Sequence, residues 1–185
     1  MEDQIYKDQD YTSDKLPKDT YDNCQFVNCT FADADLSEIN FIACTFEDCN
    51  LSMANITNTA FKEVDFVNCK LLGLRFDECN AFLLALSFEK CQLDLANFYQ
   101  LELKGTNFLG CSLVEADFSE VNLSGASFAD CNLDRALFDQ TNLENVDFRK
   151  ALNYRLNPAK NRIRKARFSK GGLFGLLQDF DILVE

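Results

Sequence analysis

"FEDCNLSMANI", residues 46–56, sets Phe46, Leu51 and Ile56 five residues apart, with Cys49 and Ala54 each two residues before a large apolar neighbour. A spacing of five fits neither the 3.6-residue period of a helix nor the two-residue alternation of a strand, so each unit must combine an extended piece with a turn. Residues two apart in an extended piece share a face. The small residue and the large one after it therefore both point inward, the residue between them points out, and the last two turn a corner. Asn is frequent at that outward middle position (Asn50, Asn97, Asn122, Asn132, Asn142), which suits a side chain able to bond its own backbone near a turn.

The period extends in both directions. From Phe26 it runs through Phe31, Leu36, Phe41, the opening stretch, Phe61, Phe66 and Leu71 to Phe76; after a slip of two residues it resumes at Leu83 and continues to Phe148. Steps of twenty bring like onto like, with Phe26, Phe46, Phe66, Phe88, Phe108, Phe128, Phe148 and Phe168 in one column. Four units per column step mean four sides per coil: a square solenoid whose backbone groups pair with the coils above and below, about 4.8 Å away. Every charged residue between Cys24 and Tyr154 falls on an outward position, as a narrow apolar interior demands.

The segments ADL at 34–36, ANI at 54–56, ANF at 96–98 and ADF at 116–118 resemble the A(D/N)LXX signature of pentapeptide-repeat proteins. That resemblance implies an all-β, right-handed quadrilateral parallel β-helix of about six to seven coils with a short C-terminal helix and strand as its cap. Residues 1–23 lack the period and read as an extended, partly disordered lead-in. Residues 24–154 form the β-helix, with the slip near 77–86, and 155–185 a last distorted coil and a terminal segment. Within the slip Leu83 is the new inward centre; the extra residues either form a plain bulge or present Phe82 and Leu84 as a contact loop. In the tail, Leu173, Leu176, Leu177 and Phe180 have helix-like spacing with Phe174 among them, and "DILV" at 181–184 reads as a strand. This apolar end either caps the open core or joins two copies as a homodimer, which resemblance to Qnr-type proteins favours.

Eight of the nine cysteines stand two residues before a centre, and Cys79 keeps that phase at the slip, so all point inward; Cys29, Cys49, Cys69, Cys91, Cys111 and Cys131 form one ladder. Buried Cys behaves as a small hydrophobe, and the repeat interchanges it with Ala and Val. Zinc ligation by Cys24, Cys29, Cys44 and Cys49 is disfavoured because neighbouring coils put non-ligating residues in the same places. The acidic start has no apolar run of signal length, so a cytoplasmic, thiol-reducing compartment is expected and a disulfide framework is not. The chain has no His, and its inward thiols lack the exposure a nucleophile needs, so neither enzyme activity nor a cofactor or metal is expected.

A net charge of −12 disfavours direct binding to nucleic acid or an anionic membrane and favours a basic partner. The third side stands out, carrying Asp35, Glu38, Asp77, Glu78, Asp117, Glu120 and Asp139 against only Arg75. It is either a solvated face or an anionic surface offered to a DNA-binding groove. Resemblance to the Qnr and topoisomerase-poison immunity branch implies the second: a DNA-mimicking modulator of a type II topoisomerase such as gyrase. Qnr-type chains carry projecting loops, whereas the largest interruption here is two residues, so inhibition is expected before protection from quinolones. The alternative is a scaffold or regulatory binder of another basic protein, using Met53, Leu72, Leu95 and Val114 on the second side.

Overall fold

The structure is a computed structural model and describes residues 1–180 and 182. The chain winds as a right-handed quadrilateral β-helix. Its first side is a parallel sheet of strands Ile5–Lys7, Gln25–Val27, Thr45–Glu47, Val64–Val67, Leu86–Glu89, Asn107–Leu109 and Ser127–Ala129. Strands Thr20–Asp22, Asn40–Ile42 and Ala60–Lys62 pair on the fourth side. Bridges such as Thr30 to Asn50 and Asn97 to Asp117 join the other two sides.

Strands are three or four residues long because a corner interrupts each one. Two residues after most centres the backbone enters the left-handed region, as at Asp33 (φ 56°), Met53 (φ 57°) and Glu120 (φ 59°). A side chain there costs about 1–2 kcal/mol. Pairing with the next coil offsets it: the Asp33 N–H donates to the Ser52 carbonyl at 3.0 Å and that of Met53 to Leu72 at 2.9 Å. The outward Asn and Asp residues fasten the same corners. Asn50 Oδ1 accepts from the Ser52 N–H at 3.1 Å, Asn97 Oδ1 from Tyr99 at 2.9 Å and Asp117 Oδ1 from Ser119 at 2.8 Å.

The core is a stack of aromatic rings. The first-side column runs unbroken from Tyr6 to Phe168 with centroids 4.7–5.5 Å apart. A second column of Phe76, Phe98, Phe118 and Phe138 meets it edge to face, as where Phe98 and Phe108 lie at 84°. Both geometries are the ones aromatic quadrupoles favour.

Three expectations need correction. Residues 1–23 are a first coil, not an extended lead-in: Tyr6, Tyr11 and Tyr21 stack on Phe26, Phe31 and Phe41 at 4.8, 4.8 and 5.6 Å, and Leu16 is buried. Tyrosine suits a terminal coil because its hydroxyl can reach a partner at the open edge, as Tyr21 does by donating to the Pro17 carbonyl at 2.9 Å. At the slip, Asn80 bridges Ala60 and Leu86 resumes register opposite Val64, so the extra residues are absorbed in the corner between them. Leu83 takes the left-handed corner conformation there (φ 59°) and faces solvent, 64% exposed, instead of serving as an inward centre. Leu84 packs against the core, so the loop presents Phe82 and Leu83 rather than Phe82 and Leu84.

In the tail, Phe168 stacks on Phe148 at 5.3 Å and Arg167 bridges Asp147, which closes a last coil. A six-residue 3-10 helix, Gly171–Leu176, then folds over buried Tyr154. The Leu156 N–H donates to the Gly175 carbonyl at 3.0 Å, and a Cβ at Gly175 would lie 2.3 Å from the Tyr154 carbonyl oxygen, so only glycine fits. The strand expected over 181–184 lies, apart from Ile182, outside the described residues.

Candidate interaction faces

Each cysteine is buried, and most do more than fill space. At an alanine corner the N–H three residues after a centre returns to that centre's carbonyl, as from Ala54 to Leu51 at 3.1 Å. The corners after Phe26, Phe46 and Phe66 lack this bond, and the thiol one coil further on supplies the donor. Cys49 Sγ donates to the Phe26 carbonyl at 3.2 Å, Cys69 Sγ to Phe46 at 3.2 Å and Cys91 Sγ to Phe66 at 3.3 Å. The Thr59 and Thr141 hydroxyls donate in the same direction, to Leu36 at 2.7 Å and Phe118 at 2.8 Å, at corners that also keep their own bond from Ile39 and Val121. Burial pushes the Cys44 thiol up to about 11 and that of Cys79 up to about 12, so both stay protonated at neutral pH. All but Cys79 are hydrogen-bonded structural thiols, and sequence spacing alone could not reveal the bonds.

The third side gathers the seven predicted acids in one row but does not leave them bare. The first coil adds Lys15 and Lys18 to this side, and Lys18 Nζ lies 3.2 Å from Glu38 and 4.0 Å from Asp35. Arg75 grips Asp77 at 2.7 Å and reaches Glu78 at 3.4 Å. Lys160, from the tail, stands 3.8 Å from Asp139. Asp35 accepts from the Ser37 hydroxyl and N–H, which hold its carboxyl below the usual range. Only Asp117 and Glu120 make no ion pair among the described residues. Glu120 is oriented by the Tyr99 hydroxyl at 3.0 Å and Gln100 Nε2 at 2.8 Å, and the bond to Glu120 raises the Tyr99 hydroxyl above its ordinary value. The anionic part of the side is thus a short stretch above the slip, with exposed Leu137 beside it.

On the second side Met53 and Leu95 are 60% and 54% exposed, Leu72 less so, and Val114 is half-buried. Met53 lies across Gly73, where a Cβ would come within 2.5 Å of its sulfur. At the slip Phe82 is 69% exposed with Lys62 Nζ 5.7 Å from its ring centroid. In the tail, Leu176 packs against the core while Leu173, Phe174, Leu177 and Phe180 face outward. Residues three apart eclipse in a 3-10 helix. The Leu177 N–H bonds to Phe174 and that of Phe180 to Leu177, both at 3.0 Å, which aligns Phe174, Leu177 and Phe180 in one apolar stripe.

Sequence reasoning missed a corner column between the first and second sides. Asp8, Asn28, Asp48 and Asn68 alternate there, with Asn28 Nδ2 donating to Asp8 at 2.6 Å and Asn68 to Asp48, so each carboxylate has an amide between it and the next. They border a groove of about 570 Å³ floored by Cys29, Cys49 and Cys69. The signal was available: a step of twenty from Asp8 gives Asn28, Asp48 and Asn68. Among the described residues no cluster of His, Cys, Asp and Glu has metal-holding geometry, and no helix is long and apolar enough to cross a membrane.

A family profile described as pentapeptide repeat region matches residues 20–98, 83–151 and 101–175. No curated protein sequence matches significantly. Among solved structures, a trypsin-treated variant of QnrB1, a plasmid-mediated fluoroquinolone resistance protein, superposes with a TM-score of 0.65 at 17% identity over 98% of this chain and 99% of that one. A second trypsin-treated QnrB1 variant gives 0.51 at 19% identity over 100% and 99%. HetL, a pentapeptide repeat protein involved in heterocyst differentiation regulation from the cyanobacterium Nostoc sp. strain PCC 7120, gives 0.37 at 16% identity over 93% and 88%. Identities this low speak to the fold alone.

Proposed function

Because the chain belongs to the pentapeptide-repeat family, we propose that it is a non-catalytic binding protein whose anionic rod occupies the DNA-binding groove of a type II topoisomerase such as gyrase. The observation that carries this reading is the unpaired acidic stretch of the third side, Asp117 and Glu120, held on a rigid backbone ladder beside the Tyr99 hydroxyl. Fixed carboxylates on a rod can stand in for backbone phosphates without the entropy cost of ordering a flexible acidic tail. Likeness of fold to a fluoroquinolone resistance protein supports the same direction. With only a two-residue loop at the slip, the expected outcome is inhibition rather than protection.

The test is a gyrase supercoiling assay with purified protein, with and without a quinolone. Inhibition at micromolar protein, relieved roughly tenfold by Asp117→Lys with Glu120→Lys, supports the reading. No effect at that concentration, or equal relief by reversals of Asp65 and Glu89 on the first side, overturns it.

A second reading follows from Met53, Leu72 and Leu95, which form an exposed apolar strip suited to a scaffold's partner protein. The rod also pairs with a second copy through Phe174, Leu177 and Phe180. Sedimentation should then show a dimer that Phe174→Asp with Leu177→Asp converts to monomer; a monomeric parent protein would end that part of the proposal.

A further inference from the structure

The rod's charge is segregated along its axis. Residues 1–148 hold 27 acidic and 9 basic residues, whereas residues 149–170 hold 9 basic residues and no acidic one. The net charge therefore conceals a cationic end. Some of its bases are spoken for: Arg149 pairs with Asp147 at 2.6 Å, Lys150 with Asp130 at 3.7 Å, Arg155 with Asp179 at 2.8 Å and Lys160 with Asp139 at 3.8 Å. Arg162, Arg164, Lys165, Arg167 and Lys170 are exposed and make no ion pair among the described residues.

Their arrangement is specific. Arg162 and Arg164 flank Ile163 on the fourth side, Lys165 turns the corner with φ 58°, and Arg167 opens the first side. The result is a convex ridge with Lys165 on its crest and arginines on both flanks. Its backbone is fastened to the coil beneath, since the Arg162 N–H donates to Thr141 at 3.0 Å and that of Arg167 to Val146 at 2.8 Å. Ile163, Ala166 and Phe168 are directed toward the interior, so no apolar side chain stands among the charges.

That last feature chooses between partners. A protein interface gains most of its energy from a desolvated aromatic or aliphatic anchor, and this ridge has none. Phosphate recognition needs no such anchor, only guanidinium forks and ammonium groups in fixed positions. A convex ridge charged on both flanks can meet the two phosphate rows that border a duplex groove. The acidic body does not forbid this. Coils repeat about every 4.8 Å and the screening length near physiological salt is about 8 Å, so carboxylates more than two coils away are largely screened from a duplex at the rod's end. The two nearest on the first side, Asp147 and Asp130, are already paired, which leaves Glu144, one coil below Arg164 on the fourth side, as the adjacent carboxylate without an ion pair among the described residues.

We infer that this terminal ridge binds the phosphodiester backbone of duplex nucleic acid, without sequence preference. The expectation that direct nucleic-acid binding is disfavoured treated the charge as evenly spread. The inference holds whether or not the rod binds a topoisomerase.

The test is fluorescence anisotropy of a labelled DNA duplex of about 20 base pairs with the full chain, with unlabelled DNA duplex, RNA duplex and polyglutamate as competitors. Four phosphate contacts predict saturable binding that weakens about a hundredfold between about 50 and 200 mM salt. Replacing Arg162, Arg164 and Arg167 together by Gln, which leaves the inward residues alone, should flatten the salt slope by nearly three. Asp117→Lys with Glu120→Lys should change affinity less than twofold. Displacement by both duplexes supports backbone recognition, and displacement by DNA alone assigns the source to DNA. The inference is overturned by absence of binding at the lower salt, by binding that the Gln variant leaves untouched, or by displacement with polyglutamate as effective as with DNA, which would make the ridge a site for an acidic protein.

Discussion

Cys69 is enclosed between Cys49 and Cys91 on the ladder, and its thiol donates to the Phe46 carbonyl at 3.2 Å. If size alone mattered, Ala and Ser would be poor replacements to a similar degree. Because the corner carbonyl needs a donor, Cys69→Ala should cost roughly 1–3 kcal/mol and Cys69→Ser noticeably less, read from urea midpoints. Serine proving worse than alanine would reduce the ladder to a matter of volume. Burial makes a second prediction: no thiol should react with a disulfide reagent in the native protein near neutral pH, and all nine should react once it is unfolded. The inward direction of these residues was legible from the five-residue phase. Their partners were not, because a thiol and an alanine occupy the same phase while only some corners need an extra donor.

At the scale of the element, the C-terminal segment depends on one glycine and one ion pair. Gly175→Ala would drive a methyl group into the Tyr154 backbone and should displace the 3-10 helix from its seat. Limited proteolysis should then cleave near residue 175 while the ring stack remains intact; resistance equal to the parent would show that the segment tolerates the clash. Asp179 is held below the usual carboxylate range chiefly by its bond to Arg155. A carboxylate depressed in the folded state contributes stability above its unfolded value near 4 and loses it as pH falls through the lower folded value. Protection of this segment should therefore fade on acidification below about pH 4 and should be pH-insensitive there in Asp179→Asn. The elements least legible in the sequence were those where residue chemistry changed while geometry did not. The first coil keeps the phase with Tyr6, Tyr11 and Tyr21, residues excluded by a search for Leu, Phe and Ile centres. The slip misled for the opposite reason: Leu83 has the right chemistry for a centre, but the corner takes up the added length before the next strand begins.

For the whole molecule, the row of third-side acids could be read from the sequence, whereas its neutralisation could not. Lys18 arrives from a first coil centred largely on tyrosines and Lys160 from a tail that departs from the five-residue frame. The same lesson applies to net charge, which is an average over a body and an end of opposite sign. Above the slip the sides realign, with Phe88 over Phe66 and Phe98 over Phe76. The molecule is in this respect a screw thread, in which angular position is recorded as a count of residues. Removing residues 107–126 would bring Ser127 opposite Ser87 and restore the thread one turn shorter, at the loss of Asp117 and Glu120 but with every remaining residue on its present side. Such a variant should melt in a single cooperative transition by circular dichroism. Removing five residues could still bury a core, but it would rotate everything above by a quarter turn and change the side on which the basic ridge stands relative to the acidic stretch below.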